Sequence, residues 1–105
     1  MRKIGYLLQH EIRKKIEQNR GRILDTARRY GVTKIRVFGS TARGEATKNS
    51  DLDLLVAFES GRSLLDLIGF RQDLEELLGI HVDVVSERGL SPYLRDHIFK
   101  EAMPF

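Results

Sequence analysis

The chain has 105 residues, 41% hydrophobic and 31% charged, with a mean hydropathy of −0.32, which suits one ordered domain with a small core and excludes a disordered, fibrous or membrane-spanning chain. It has no cysteine, so a disulfide framework, a thiolate zinc site and a cysteine nucleophile are all excluded, and His10, His81 and His97 lie too far apart for a histidine zinc motif. Residues 1–36 carry eleven Lys/Arg against three Asp/Glu, and residues 37–105 seven against twelve; this basic front and acidic back is either the solvated face of helices or a surface for nucleic acid or an acidic partner.

Met1-Arg2-Lys3-Ile4 leads into an amphipathic segment and not into a signal-peptide core, so the expected compartment is the cytoplasm. Ile4, Leu8, Ile12 and Ile16 recur every fourth residue, predicting a basic amphipathic helix over about residues 1–20 that ends near Asn19-Arg20-Gly21. Its apolar stripe either covers the core or serves as an interaction element. Ile23, Leu24, Ala27 and Tyr30 predict a second helix, stopped by Gly31 at a position that suits a left-handed residue. Residues 34–38 alternate and are rich in β-branched side chains, predicting a strand that delivers Gly39-Ser40 at its end. Residues 51–58 read as a second strand with Leu52, Leu54 and Val56 on one face.

Ser63 and Asp66 form a capping pair for a third helix, with Leu64, Leu67, Ile68, Leu74, Leu77 and Leu78 as its apolar side and Gly79 as its stop. Residues 80–85 alternate as a third strand, and Ser91-Pro92 reads as the cap and first turn of a last helix through about Ala102, with Leu94 and Ile98 facing inward. The order predicts a small α/β (α+β) fold: a mixed sheet of about three to four strands flanked by helices, a single domain over 1–105.

The chemistry lies in three carboxylates and one turn. Side chains two apart on a strand share a face, so Asp51 and Asp53 project together on the side opposite Leu52 and Leu54. Adjacent carboxylates repel unless a cation intervenes, and an all-oxygen set suits Mg²⁺. If the second and third strands pair, Asp83 joins the same face. A D-x-D pattern alone is short and common, and so is a Gly-Ser turn. The G-x-x-x-x-G spacing from Gly39 to Gly44 fails as a P-loop, because Glu45-Ala46 stands where that motif needs Lys and Ser/Thr. Arg43 and Lys48 in the intervening loop are either triphosphate contacts or solvated cations.

The whole run from Val37 to Val56 is far more specific than its parts. Gly39-Ser40, a spacer of ten residues (41–50), Asp51-Leu52-Asp53 and a later Asp83 together resemble the polymerase beta-like nucleotidyltransferase superfamily, most nearly its minimal nucleotidyltransferase (MNT) domains, the antitoxin halves of HEPN/MNT toxin–antitoxin pairs. The resemblance covers about residues 22–102 and includes Tyr30-Gly31-Val32, the loop Ala42-Arg43-Gly44-Glu45-Ala46, the start of the third helix and Val82-Asp83-Val84-Val85. The resemblance implies the polymerase beta-like fold, with Gly39 and Ser40 holding the β- and γ-phosphates of ATP, Asp51 and Asp53 binding two Mg²⁺ ions, and Asp83 as the third metal-binding carboxylate. Arg43 is carried as a further nucleotide contact. The implied activity is AMP transfer from ATP to a hydroxyl, a tyrosine, of a HEPN-domain toxin, which neutralises it. Two other readings stay open: an antitoxin that inhibits by contact without catalysis, and a nucleic-acid-binding module that uses the basic front half.

Overall fold

The computed structural model describes residues 11–38 and 52–105. Helix α1 covers 11–18 and is followed, after one turn residue, by α2 at Arg20–Arg29. Strand β1 is Val32–Phe38, β2 is Leu52–Phe58, α3 is Leu64–Leu78, β3 is Val82–Ser86, α4 is Pro92–Glu101 and β4 is Met103–Pro104, with a single 3₁₀ turn at Glu87–Gly89 after β3. The sheet is mixed, in the order β3-β2-β1-β4. Strands β1 and β2 are antiparallel, β2 and β3 are parallel across the α3 crossover, and β4 pairs with β1 at Arg36 and Val37.

Local chemistry sets the element ends. Ser63 accepts the backbone N–H of Leu65 (3.2 Å) while Asp66 accepts that of Ser63 (2.9 Å), the reciprocal cap that starts α3. Gly79 ends the same helix at φ 69°, where a Cβ would be disfavoured. Ser91 caps α4 through the Leu94 N–H (3.3 Å), with Pro92 in its first turn. The first helix ends at residue 18, next to the expected Asn19-Arg20-Gly21: Asn19 donates its N–H to the Lys15 carbonyl, its carbonyl accepts from Ile23 at 2.9 Å at the start of α2, and Gly21 lies inside α2.

The core lies between one sheet face and helices α2 and α3. Leu52, Leu54 and Val56 of β2 and Val82 and Val84 of β3 meet Ile23 and Ala27 of α2 and Phe70, Leu74 and Leu78 of α3. Full burial of each large side chain contributes about 1.5–3 kcal/mol. Ile12 and Ile16 of α1 pack against this cluster and Lys15 Nζ donates to the Leu78 carbonyl (3.1 Å), so the apolar stripe of the described part of α1 covers the core.

The other sheet face is covered as well, since Leu55 is fully buried. Arg36, its register partner on β1, lies under the Phe99 ring of α4 (4.7 Å to the centroid) and pairs with Glu87 at 2.9 Å. Two inward assignments differ from the expected ones: Leu64 is 69% and Leu94 48% exposed. Both sit in first turns that project past the sheet, beyond the reach of its apolar faces.

Candidate active site

Strand register builds the site. Asp53, one residue into β2, lies opposite Phe38 of β1 on one side and opposite Asp83 of β3 on the other. Neighbouring strands are about 4.8 Å apart and register partners project from the same face, so the two carboxylates stand side by side. The pairing predicted for the second and third strands is present, and it brings Asp83 to Asp53. Asp53 is 2% exposed and Asp83 is half-buried, so the first anchors the pair and the second faces outward. Phe38, 8% exposed, ends β1 opposite Asp53.

Gly39, Ser40, Arg43 and Asp51 lie outside the described residues. Among the described residues no three metal-competent side chains converge; Asp53 and Asp83 are two of the three expected carboxylates. The donor chemistry fits Mg²⁺: carboxylate oxygens are hard ligands, and two anions held in register on rigid strands favour a small divalent cation.

The strand starts are pinned from behind. Leu52 N–H donates to the His81 carbonyl (3.1 Å), tying the residue before Asp53 to the start of β3. Glu75 of α3 accepts the Val82 N–H (3.0 Å), directly before Asp83, and is itself held by Arg71 (3.2 Å). His81 is 74% exposed and its Nδ1 lies 3.7 Å from Glu75, so it belongs to this supporting network. The sequence reading missed Glu75. Nothing in the sequence singles it out, since α3 also carries Asp66, Asp73 and Glu76.

Farther back, the Tyr30 hydroxyl donates to Asp73 (2.8 Å), which raises the phenol pKa, first through that hydrogen bond and then through burial. Asp66 is held below the usual carboxylate range, chiefly by the Ser63 N–H and then by Arg62.

A family model described as a nucleotidyltransferase domain matches residues 11–103. The protein adenylyltransferase MntA of Thermococcus cleftensis is 44% identical over 75 residues, which are 71% of this chain and 76% of that protein. A solved structure described as a minimal nucleotidyltransferase is 52% identical and superposes with a TM-score of 0.74 over 88% of this chain and 94% of its own. A crystal structure of a toxin–antitoxin complex with AMP-PNP is 25% identical, with a TM-score of 0.64 over 82% of this chain and 71% of its own. The topology described above is therefore shared with solved nucleotidyltransferase folds.

Proposed function

The chain belongs to the nucleotidyltransferase domain family, and from that premise we propose that it is an antitoxin that transfers AMP from ATP to a hydroxyl, a tyrosine, of a HEPN-domain partner toxin. The observation that carries the proposal is the register of Asp53 with Asp83 on one side and with Phe38, the residue that precedes Gly39-Ser40 in the sequence, on the other. The relative named a protein adenylyltransferase and the toxin–antitoxin complex holding an ATP analogue support the donor and the class of acceptor.

In this reading Gly39 and Ser40 hold the β- and γ-phosphates with backbone N–H groups, an arrangement suited to anions, and Arg43 adds a cation to the triphosphate. Asp51, Asp53 and Asp83 hold two Mg²⁺ ions. Bound there, Mg²⁺ supplies charge neutralisation on the triphosphate and a lowered pKa for the acceptor hydroxyl. The acceptor hydroxyl releases its proton to solvent as its oxygen bonds to the α-phosphorus, the bridging bond to the β-phosphate breaks, and pyrophosphate leaves. Asp83, the more exposed of the described pair, faces the incoming hydroxyl, while buried Asp53 fixes the donor. ATP and Mg²⁺ at cellular levels place this activity in the cytoplasm.

The test is mass spectrometry of a HEPN-domain toxin after incubation with this chain and MgATP. AMP adducts on one tyrosine are expected. Neutralisation of the toxin with no adduct would favour an antitoxin that acts by contact alone.

A further inference from the structure

Five large apolar side chains are exposed among the described residues, and four of them lie in the first turns of α3 and α4: Leu64 at 69%, Leu65 at 78%, Tyr93 at 78% and Leu94 at 48%. Singly such residues need no explanation, but Leu64 also lines a cleft. Between the two turns runs a cleft of about 460 Å³, with Phe58, Leu64 and Leu67 on its apolar wall and Arg88 and Arg95 on its rim.

The charges of this cleft are unevenly satisfied. Its two carboxylates are engaged, Glu59 by Arg62 at 2.7 Å and Glu87 by Arg36 at 2.9 Å. Arg88 and Arg95 pair with no carboxylate among the described residues; Arg95 lies 5.4 Å from the Phe99 ring centroid, which positions the guanidinium without neutralising it. Both helix starts are capped by their own serines, so recognition here falls to side chains.

We propose that this cleft docks an acidic segment of a partner protein that carries an apolar anchor. A leucine or phenylalanine of the partner enters between Phe58, Leu64 and Leu67, and flanking carboxylates meet Arg88 and Arg95. A phosphate backbone suits the cleft less well, since it offers no apolar group to Phe58, Leu64 and Leu67. The cleft sits at the C-terminal ends of β2 and β3, whereas Asp53 and Asp83 sit at the N-terminal ends, roughly 13 Å away at about 3.3 Å per residue. A docked segment therefore leaves the carboxylate pair open, and the inference stands whether or not AMP is transferred.

The experiment pans a random dodecapeptide library, displayed on phage, against the full chain. The enriched sequences are then synthesised and their binding measured by fluorescence anisotropy. Enriched peptides should combine Asp/Glu with a Leu or Phe, and bind at least tenfold more weakly to Arg88→Glu/Arg95→Glu and to Leu64→Ser. All three positions are exposed, and melting curves report whether each variant keeps its fold; if the double variant does not, Arg88→Gln alone carries the charge test. Absence of enrichment, enrichment of basic or uncharged sequences, or unchanged binding by the variants would overturn the proposal. So would a poly(U) RNA that binds more tightly than every peptide and is lost in the double variant, which would reassign the cleft to nucleic acid.

Discussion

Glu75→Ala removes the acceptor of the Val82 N–H and the partner of Arg71 in one step. Val82 is 3% exposed, so its N–H is poorly placed to regain water. Leaving a buried donor unsatisfied costs about 1–3 kcal/mol. The Arg71 pair, with side chains 35% and 27% exposed, adds only about 0.3–0.5 kcal/mol after solvent screening. Because the glutamate itself is 27% exposed, water enters part of the vacated space and the total falls near the low end, about 1.5 kcal/mol. At about 4–8 °C per kcal/mol for a domain of this size, the melting temperature should drop by about 6–12 °C. Glu75→Gln keeps an oxygen for Val82 and should cost less than about 1 kcal/mol. Thermal melts followed by circular dichroism, with urea titrations for the free energies, measure both. Because Val82 precedes Asp83, MgATP should stabilise the glutamine variant as it does the parent and the alanine variant less. A Glu75→Ala melt within about 2 °C of the parent, or a glutamine variant as damaged as the alanine one, would refute the claim that this carboxylate fixes the start of β3.

Two further predictions test the packing and the electrostatics. Alanine normally stabilises a helix interior over glycine by about 0.5–1 kcal/mol, but a Cβ at Gly69 would meet the Tyr30 ring at 2.5 Å, and that ring is tied to Asp73; Gly69→Ala should therefore lower the urea midpoint, and a rise would show that Tyr30 moves freely. The folded pKa of Asp66 is depressed, so its contribution is present above the ordinary carboxylate value near 3.8 and is lost as the pH falls through the lower folded value. The stability gap between the parent and Asp66→Asn should shrink as the pH is lowered from about 5 to about 2, and a constant gap across that range would contradict the assigned hydrogen bond.

What was legible in the sequence is mostly what short-range chemistry decides. Ser63 with Asp66, Gly79, and Ser91 with Pro92 each declare a helix end through groups three or four residues apart, and the structure uses all of them. The alternation around Asp53 and Asp83 set their faces, while the pairing of their strands stayed conditional in the sequence and is the parallel register seen in the structure. Tertiary facts were less legible. Phe70 lies in the core although it is not among the expected apolar residues of α3; three residues after Leu67 and four before Leu74, it shares their face. Leu64 and Leu94 were read inward because they are apolar, yet helix first turns extend beyond the sheet. Asn19-Arg20-Gly21 reads as a helix stop, and the first helix does end there, with Asn19 as the turn residue, although Gly21 itself falls inside α2. The family motif named Asp53 and Asp83 but carried no sign of Glu75, whose role depends on where α3 meets β3.

The most direct test of the central claim is Asp83→Asn, with MgATP binding measured by calorimetry and AMP transfer to the HEPN-domain partner measured by mass spectrometry on the same preparations. If buried Asp53 fixes the donor while half-buried Asp83 faces the acceptor, the variant stays folded, keeps most of its MgATP binding and loses most of its transfer. Transfer at the parent rate by Asp83→Asn would contradict the claim that the Asp53–Asp83 pair is the catalytic centre.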